Sequence, residues 1–116
     1  MNVQIKRVYE EPSPSDGCRI LIDRLWPRGL TKQKARVDLW LKAIAPSTEL
    51  RTWFGHDPNK WADFKTRYQA ELQKNESSLS QLRELLAVGK VTLLYAARDE
   101  EHNDAVVLKE YLENNQ

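Results

Sequence analysis

Val3 and Ile5 alternate with Gln4 and Lys6, a period of two that predicts a half-buried or edge strand over Val3 to Tyr9. Pro12, Pro14, two serines and Asp16-Gly17 follow as a loop ending in a turn. A second strand is predicted over Arg19 to Leu25, centred on Ile20, Leu21 and Ile22; Pro27 stops it and Gly29 lets the chain turn. Four helical segments come next. Val37, Trp40, Leu41 and Ile44 fall on one helical stripe, which predicts a helix starting near Thr31 to Lys34. Pro46 breaks it, and Ser47 can cap a short helix carrying Leu50, Trp53 and Phe54, which Gly55 ends. Asp57-Pro58 opens a helix with Trp61, Phe64, Tyr68 and Leu72 on one face. Ser78 with Gln81 resembles a capping box for Leu79, Leu82, Leu85 and Leu86, before Gly89. Val91 to Ala97 is almost unbroken in apolarity, as in a central strand covered on both faces. His102 or Asn103 can cap a last helix whose stripe is Ala105, Leu108, Tyr111 and Leu112, and Glu113 to Gln116 should fray.

The long helical excursion between the second and third strands fits a crossover between parallel neighbours. Glu10 to Cys18 is shorter than the ~10 to 12 residues a helical crossover takes. The first two strands are therefore either antiparallel or parallel and joined by irregular chain. The expected architecture is one α/β domain over residues 1–116. Its small central sheet has about three strands, mostly parallel or mixed, with helices on both faces.

Composition narrows the function only by exclusion. The chain is 41% hydrophobic and 30% charged, enough for a core under a wet surface. No run approaches the ~20 apolar residues of a membrane span, and Met1 to Arg7 has no secretory apolar region. Cys18 is alone, so no internal disulfide or cysteine metal cage forms; a reducing cytoplasm is expected. Eighteen basic against 17 acidic residues leave a net charge of +1, with no general attraction to nucleic acid or membranes. Phosphate-binding glycine loops, nucleophile elbows and dinucleotide fingerprints are absent from the sequence, and no cofactor or metal is implied.

Open α/β sheets place their sites beyond the carboxyl ends of the strands. The second strand runs out into Asp23-Arg24-Leu25-Trp26-Pro27-Arg28-Gly29, the third into Arg98-Asp99-Glu100-Glu101-His102-Asn103. If these strands are parallel, both tips share one edge. Arg24, Arg28 and Arg98 are candidates to grip a small anionic ligand, since guanidinium forks match phosphate and carboxylate oxygens. Arg24 and Asp23 equally suit an ion pair that holds the loop. Asp23, Asp99 and His102 are the candidate proton-transfer groups. Trp26 offers a stacking face or a lid on the core, and Asn103 a ligand contact at the helix start. Trp40, Trp53 and Trp61 fall on helical stripes and are expected in the core; His56 is expected to serve a turn. Lys32, Lys34 and Arg36 extend the basic rim, so the rival reading is a binding module for nucleic acid or a protein partner.

The run Asp23 to Gly29 is similar to the signature of the domain of unknown function 488 family, in its short YeaO-like branch. Ala45-Pro46-Ser47-Thr48-Glu49-Leu50-Arg51, Trp61 with Phe64 and Tyr68, Thr92 to Ala97, and His102-Asn103 before Ala105 to Leu108 agree with it. The resemblance implies an α/β fold with a strand-end pocket. Longer relatives carry Cys at the third-strand tip and Cys-His ahead of the last helix, where this chain has Tyr95 and Asn103-Asp104. Thiol or metal chemistry is therefore not carried over. Asp104 stands where the short branch has histidine, which weakens any role expected of that position.

Overall fold

The computed structural model describes residues 1–115. Four strands form one sheet: β1 (Val3–Arg7), β2 (Cys18–Leu21), β3 (Leu39–Trp40) and β4 (Val91–Tyr95), in the order β1-β4-β2-β3. Every pairing is parallel, with Ile5 opposite Leu93, Ile20 opposite Leu93 and Leu21 opposite Trp40. β4 lies between β1 and β2, and all five of its residues are buried, as its apolar run predicts. The first two strands are thus parallel but not neighbours. Irregular chain with a 3-10 turn at Pro14–Asp16 joins them, returning from the carboxyl end of β1 to the amino end of β2.

The helices are α1 (Lys32–Ala35), α2 (Thr48–Phe54), α3 (Trp61–Gln73), α4 (Glu76–Val88) and α5 (Asp104–Asn114). Residue alternation along the strands divides the core. Ile20, Ile22, Leu93 and Tyr95 pack with Phe54, Phe64, Tyr68, Leu82 and Leu108 from α2 to α5. Leu21 and Leu94 point to the other face, where Ala35 of α1 and the half-buried Trp26, Leu30, Val37 and Trp40 cover them. Near the amino ends of the strands that second face is polar. Asp16, 1% exposed, accepts from Arg19 at 2.6 Å and from Lys6 at 3.2 Å, while Thr92 donates to the Asp16 carbonyl.

Several sequence expectations are corrected. The sheet has four strands, not about three, because Val37 to Ile44 is not a helix. Asp38 N–H donates to the Arg19 carbonyl and Leu41 N–H to the Leu21 carbonyl, so β3 adds to the open edge of β2 and a 3-10 turn at Lys42–Ile44 follows. An edge strand running into a tight turn reproduced the spacing of a helical stripe. Trp40 therefore sits half-buried on that edge, and Trp53 and Trp61 are half-buried against the core. α4 begins two residues before Ser78, which is buried in its first turn, so Ser78 and Gln81 form no capping box. The expected caps hold elsewhere: Ser47 Oγ accepts from Leu50 N–H, Gly55 ends α2 in the left-handed region, and Asn103 caps α5. Of the expected fraying end, α5 orders the chain to Asn114, and Gln116 lies outside the described residues. No helix among the described residues is long and apolar enough to cross a membrane.

Candidate functional site

Parallel pairing of β2 and β4 brings their carboxyl ends together, and a cleft of about 720 Å³ opens there. All eight residues singled out at the two strand tips line it. Asp23, Arg24, Trp26 and Arg28 come from the β2 tip, and Arg98, Asp99, His102 and Asn103 from the β4 tip. Their environments separate them into supports and free groups.

Arg24 is a support. Its Nε and Nη2 both reach the Pro46 carbonyl, at 3.4 and 3.3 Å, tying the β2 tip to the turn before α2. Trp26 is fixed by a hydrogen bond from Nε1 to the Leu30 carbonyl at 2.7 Å and by an edge-on contact with Trp40. Asn103, 3% exposed, caps α5 through Oδ1 and donates from Nδ2 to the Asp99 carbonyl. Arg28 is exposed at the loop tip, where the Tyr9 hydroxyl donates to its carbonyl at 2.8 Å. The side chains of Arg28 and Arg98 make no hydrogen bond or ion pair within the described chain.

Asp99 folds back on its own turn. Its Oδ1 accepts from the Glu101 and His102 amides, and its Oδ2 lies 2.9 Å from His102 Nδ1. The Glu101 amide and the His102 ring hold its carboxyl below the usual range. Trp61 and the His102 ring meet edge to face with centroids 5.1 Å apart, so the imidazole is oriented from two sides, and its Nε2 has no hydrogen bond among the described residues.

Asp23 does not form the ion pair expected with Arg24. Its Oδ2 accepts from the Ala96 amide at 2.8 Å, and its carboxyl hydrogen-bonds the carboxyl of Asp104, the first residue of α5. Burial raises the Asp23 carboxyl from its ordinary value, against the Asp104 and Ala96 hydrogen bonds and the nearby charges of His56 and Arg51. Burial raises Asp104 further, well above the usual carboxylate range, and the charge of Asp23 adds to it. The two carboxyls therefore titrate as a pair, and ionising both at once is disfavoured. The position discounted in the sequence is half of the most perturbed pair in the cleft.

Two more residues escaped sequence reasoning. Arg51, exposed on α2, and His56 both line the cleft. Gly55 and His56 take φ of 53° and 58°, consecutive left-handed residues that swing the chain out of α2 and bring His56 to the cleft wall. The dipeptide reads as a turn in sequence, and only the tertiary fold reveals what it faces. By contrast, none of Lys32, Lys34 and Arg36 lines the cleft. β3 runs parallel to β2, so the chain must return toward the amino edge before it starts; there Arg19 donates to the Arg36 and Ala35 carbonyls. Cys18 lies at that same amino end, half-buried, its thiol raised by burial and by Asp38. No cluster of three metal-ligating side chains occurs among the described residues.

The family model described as the inactive DUF488-N3 subclade matches residues 2–116. The uncharacterized protein YeaO of Escherichia coli is 45% identical over 112 residues, covering 97% of each chain. An uncharacterized protein of Mycobacterium tuberculosis is 43% identical over 110 residues, 95% of this chain and 92% of its own length. No solved structure matches. The strand-end signature thus stands within a likeness that runs almost end to end, and the chain belongs to the inactive DUF488-N3 subclade of the domain of unknown function 488 family.

Proposed function

We propose that the strand-end cleft binds a small anionic ligand without turning it over. The observation that carries this is that Arg28 and Arg98 line one cleft with guanidinium groups that nothing in the described chain engages. Arg51 adds a third cation from α2. Guanidinium forks suit carboxylate or phosphate oxygens in pairs. Arg24, Trp26 and Asn103 are committed to shaping the walls. The description of the subclade as inactive favours binding over catalysis. In a catalytic version of the reading, His102, oriented by Asp99, is the base, and the Asp23–Asp104 pair is the acid. The nucleic-acid reading gains nothing from the cleft, since Lys32, Lys34 and Arg36 do not line it.

The test is calorimetry with inorganic phosphate, small carboxylates and a short oligonucleotide, paired with urea melts. Arg28 is exposed, and exposed charges contribute only ~0 to 1 kcal/mol to stability. Arg28→Ala is therefore expected to fold within about 1 kcal/mol of the parent and to lose at least tenfold in anion affinity. Arg28→Lys recovers little of it, because a point charge cannot bridge two oxygens. If Arg28→Ala binds every anion as the parent does, the site is elsewhere.

A further inference from the structure

The cleft is larger and less uniform than a bare anion requires. Its volume of about 720 Å³ falls among the ~300 to 1,000 Å³ pockets that enclose whole metabolites. Three kinds of surface meet in it. Arg28, Arg51 and Arg98 are exposed cations. The half-buried Asp23 and Asp104 line the same cleft and are hydrogen-bonded to each other. A ligand held by the arginines shares the cleft with carboxyl oxygens. The cleft is complementary to a molecule that places hydrogen-bond donors beside its negative group.

The third surface is apolar. Met1, Tyr9, Leu25 and Val88 are the large hydrophobic side chains left exposed among the described residues, and Tyr9 at 41% and Leu25 at 59% both line this cleft. A single exposed leucine is ordinary. Here two exposed apolar side chains adjoin the same arginine loop: Tyr9, bonded to the Arg28 carbonyl and carrying the Arg7 guanidinium over its ring at 5.0 Å, and Leu25, which precedes the immobilised Trp26. Both offer apolar surface to a flat ring in the cleft, and Tyr9, held at its hydroxyl and over its ring, has little freedom left to lose.

Resting on the anion-binding reading above, we propose that the ligand is a nucleoside monophosphate. Its phosphate lies on the arginines, its sugar hydroxyls donate to Asp23, and its base packs on Leu25 and Tyr9. An anion site alone explains the arginines but gives no use for the exposed apolar surface of Tyr9 and Leu25 beside them.

Calorimetry on the full chain compares inorganic phosphate, ribose 5-phosphate, the four ribonucleoside monophosphates and the uncharged nucleosides. At least one monophosphate is expected to bind tenfold or more tightly than phosphate, ribose 5-phosphate or its own nucleoside. Leu25→Ser, at an exposed position that should not disturb folding, should weaken the monophosphate at least fivefold and leave phosphate and ribose 5-phosphate unchanged. Asp23→Asn should weaken both sugar-bearing ligands and spare phosphate; the Leu25 variant decides alone if Asp23→Asn does not fold. If phosphate binds as tightly as every monophosphate, the nucleotide assignment is overturned while the anion site stands. Ribose 5-phosphate matching every monophosphate removes the base contact and overturns it equally. If no anion binds, or nucleosides bind as well as their monophosphates, the arginine reading fails and takes this inference with it.

Discussion

Among single residues, Asp16 shows how a carboxylate comes to be buried. It is 1% exposed, and burial alone would raise its carboxyl. The Ser13 amide and hydrogen bonds from Lys6 and Arg19 outweigh that and hold it below its ordinary value. A folded value below the unfolded one means stability that is fully present above the unfolded pKa of ~3.9 and disappears as pH falls through the folded value. The protein should therefore weaken progressively on acidification below about pH 5, as those two values require. Asp16→Asn should be flatter through that window, and at neutral pH it should cost roughly 3 kcal/mol, the low end for a broken buried pair, since Lys6 keeps some solvent. Urea melts at neutral and acid pH check both; a neutral-pH loss under about 1 kcal/mol would mean water already serves the cluster. Asp16 was legible only as a turn residue before glycine, and Asp104 only as a departure from the histidine of the short branch. What makes each of them special is partners that the fold assembles, Lys6 and Arg19 around the first and Asp23 from the other strand tip for the second.

At the scale of elements, legibility followed the length and purity of the local pattern. α3, with Phe64, Tyr68 and Leu72 buried, and β4, buried throughout, stand where periodicity predicts them. β3 did not, because two residues carry no period and its identity comes from the open edge of β2. The order of the strands was hidden for a related reason: pairing of β4 with both β1 and β2 joins residues some seventy or more positions apart, and local pattern says nothing of it. That central role makes β4 the element to perturb. Leu94 is fully buried, packed with Val8, Leu21 and Ala35 on the less thickly covered face of the sheet. Leu94→Ala should cost ~2 to 5 kcal/mol in denaturant titration, the transfer term plus a cavity. The lower half of that range would indicate that α1 and the loop around Trp26 settle into the space. A loss under about 1 kcal/mol would contradict the packing of that face.

For the molecule as a whole, the parallel sheet separates two positive surfaces that look continuous in sequence. Arg28 and Lys32 are close along the chain, yet Arg28 lines the cleft at the carboxyl edge, while the segment of α1 anchors through Arg36 to Arg19, toward the amino edge. A ligand small enough for the cleft touches only the first surface; a nucleic acid tracking a basic stripe would need both. The two surfaces can be tested apart. Replacing Lys32, Lys34 and Arg36 together by alanine removes three exposed cations outside the cleft. Because exposed charges add little to stability, the triple variant should fold like the parent. Its affinity for a small anion should stay within about twofold, the remaining change reflecting screened long-range attraction. Counterion release scales with the number of phosphates neutralised, at a slope of about −0.9 in log K against log salt for each contact on duplex DNA. One anionic group held in the cleft should therefore give a slope near −1 or shallower, equal in parent and triple variant. A steep slope that flattens when the three residues are removed would show the amino-edge surface engaging a long polyanion, and binding would then spread well beyond the cleft.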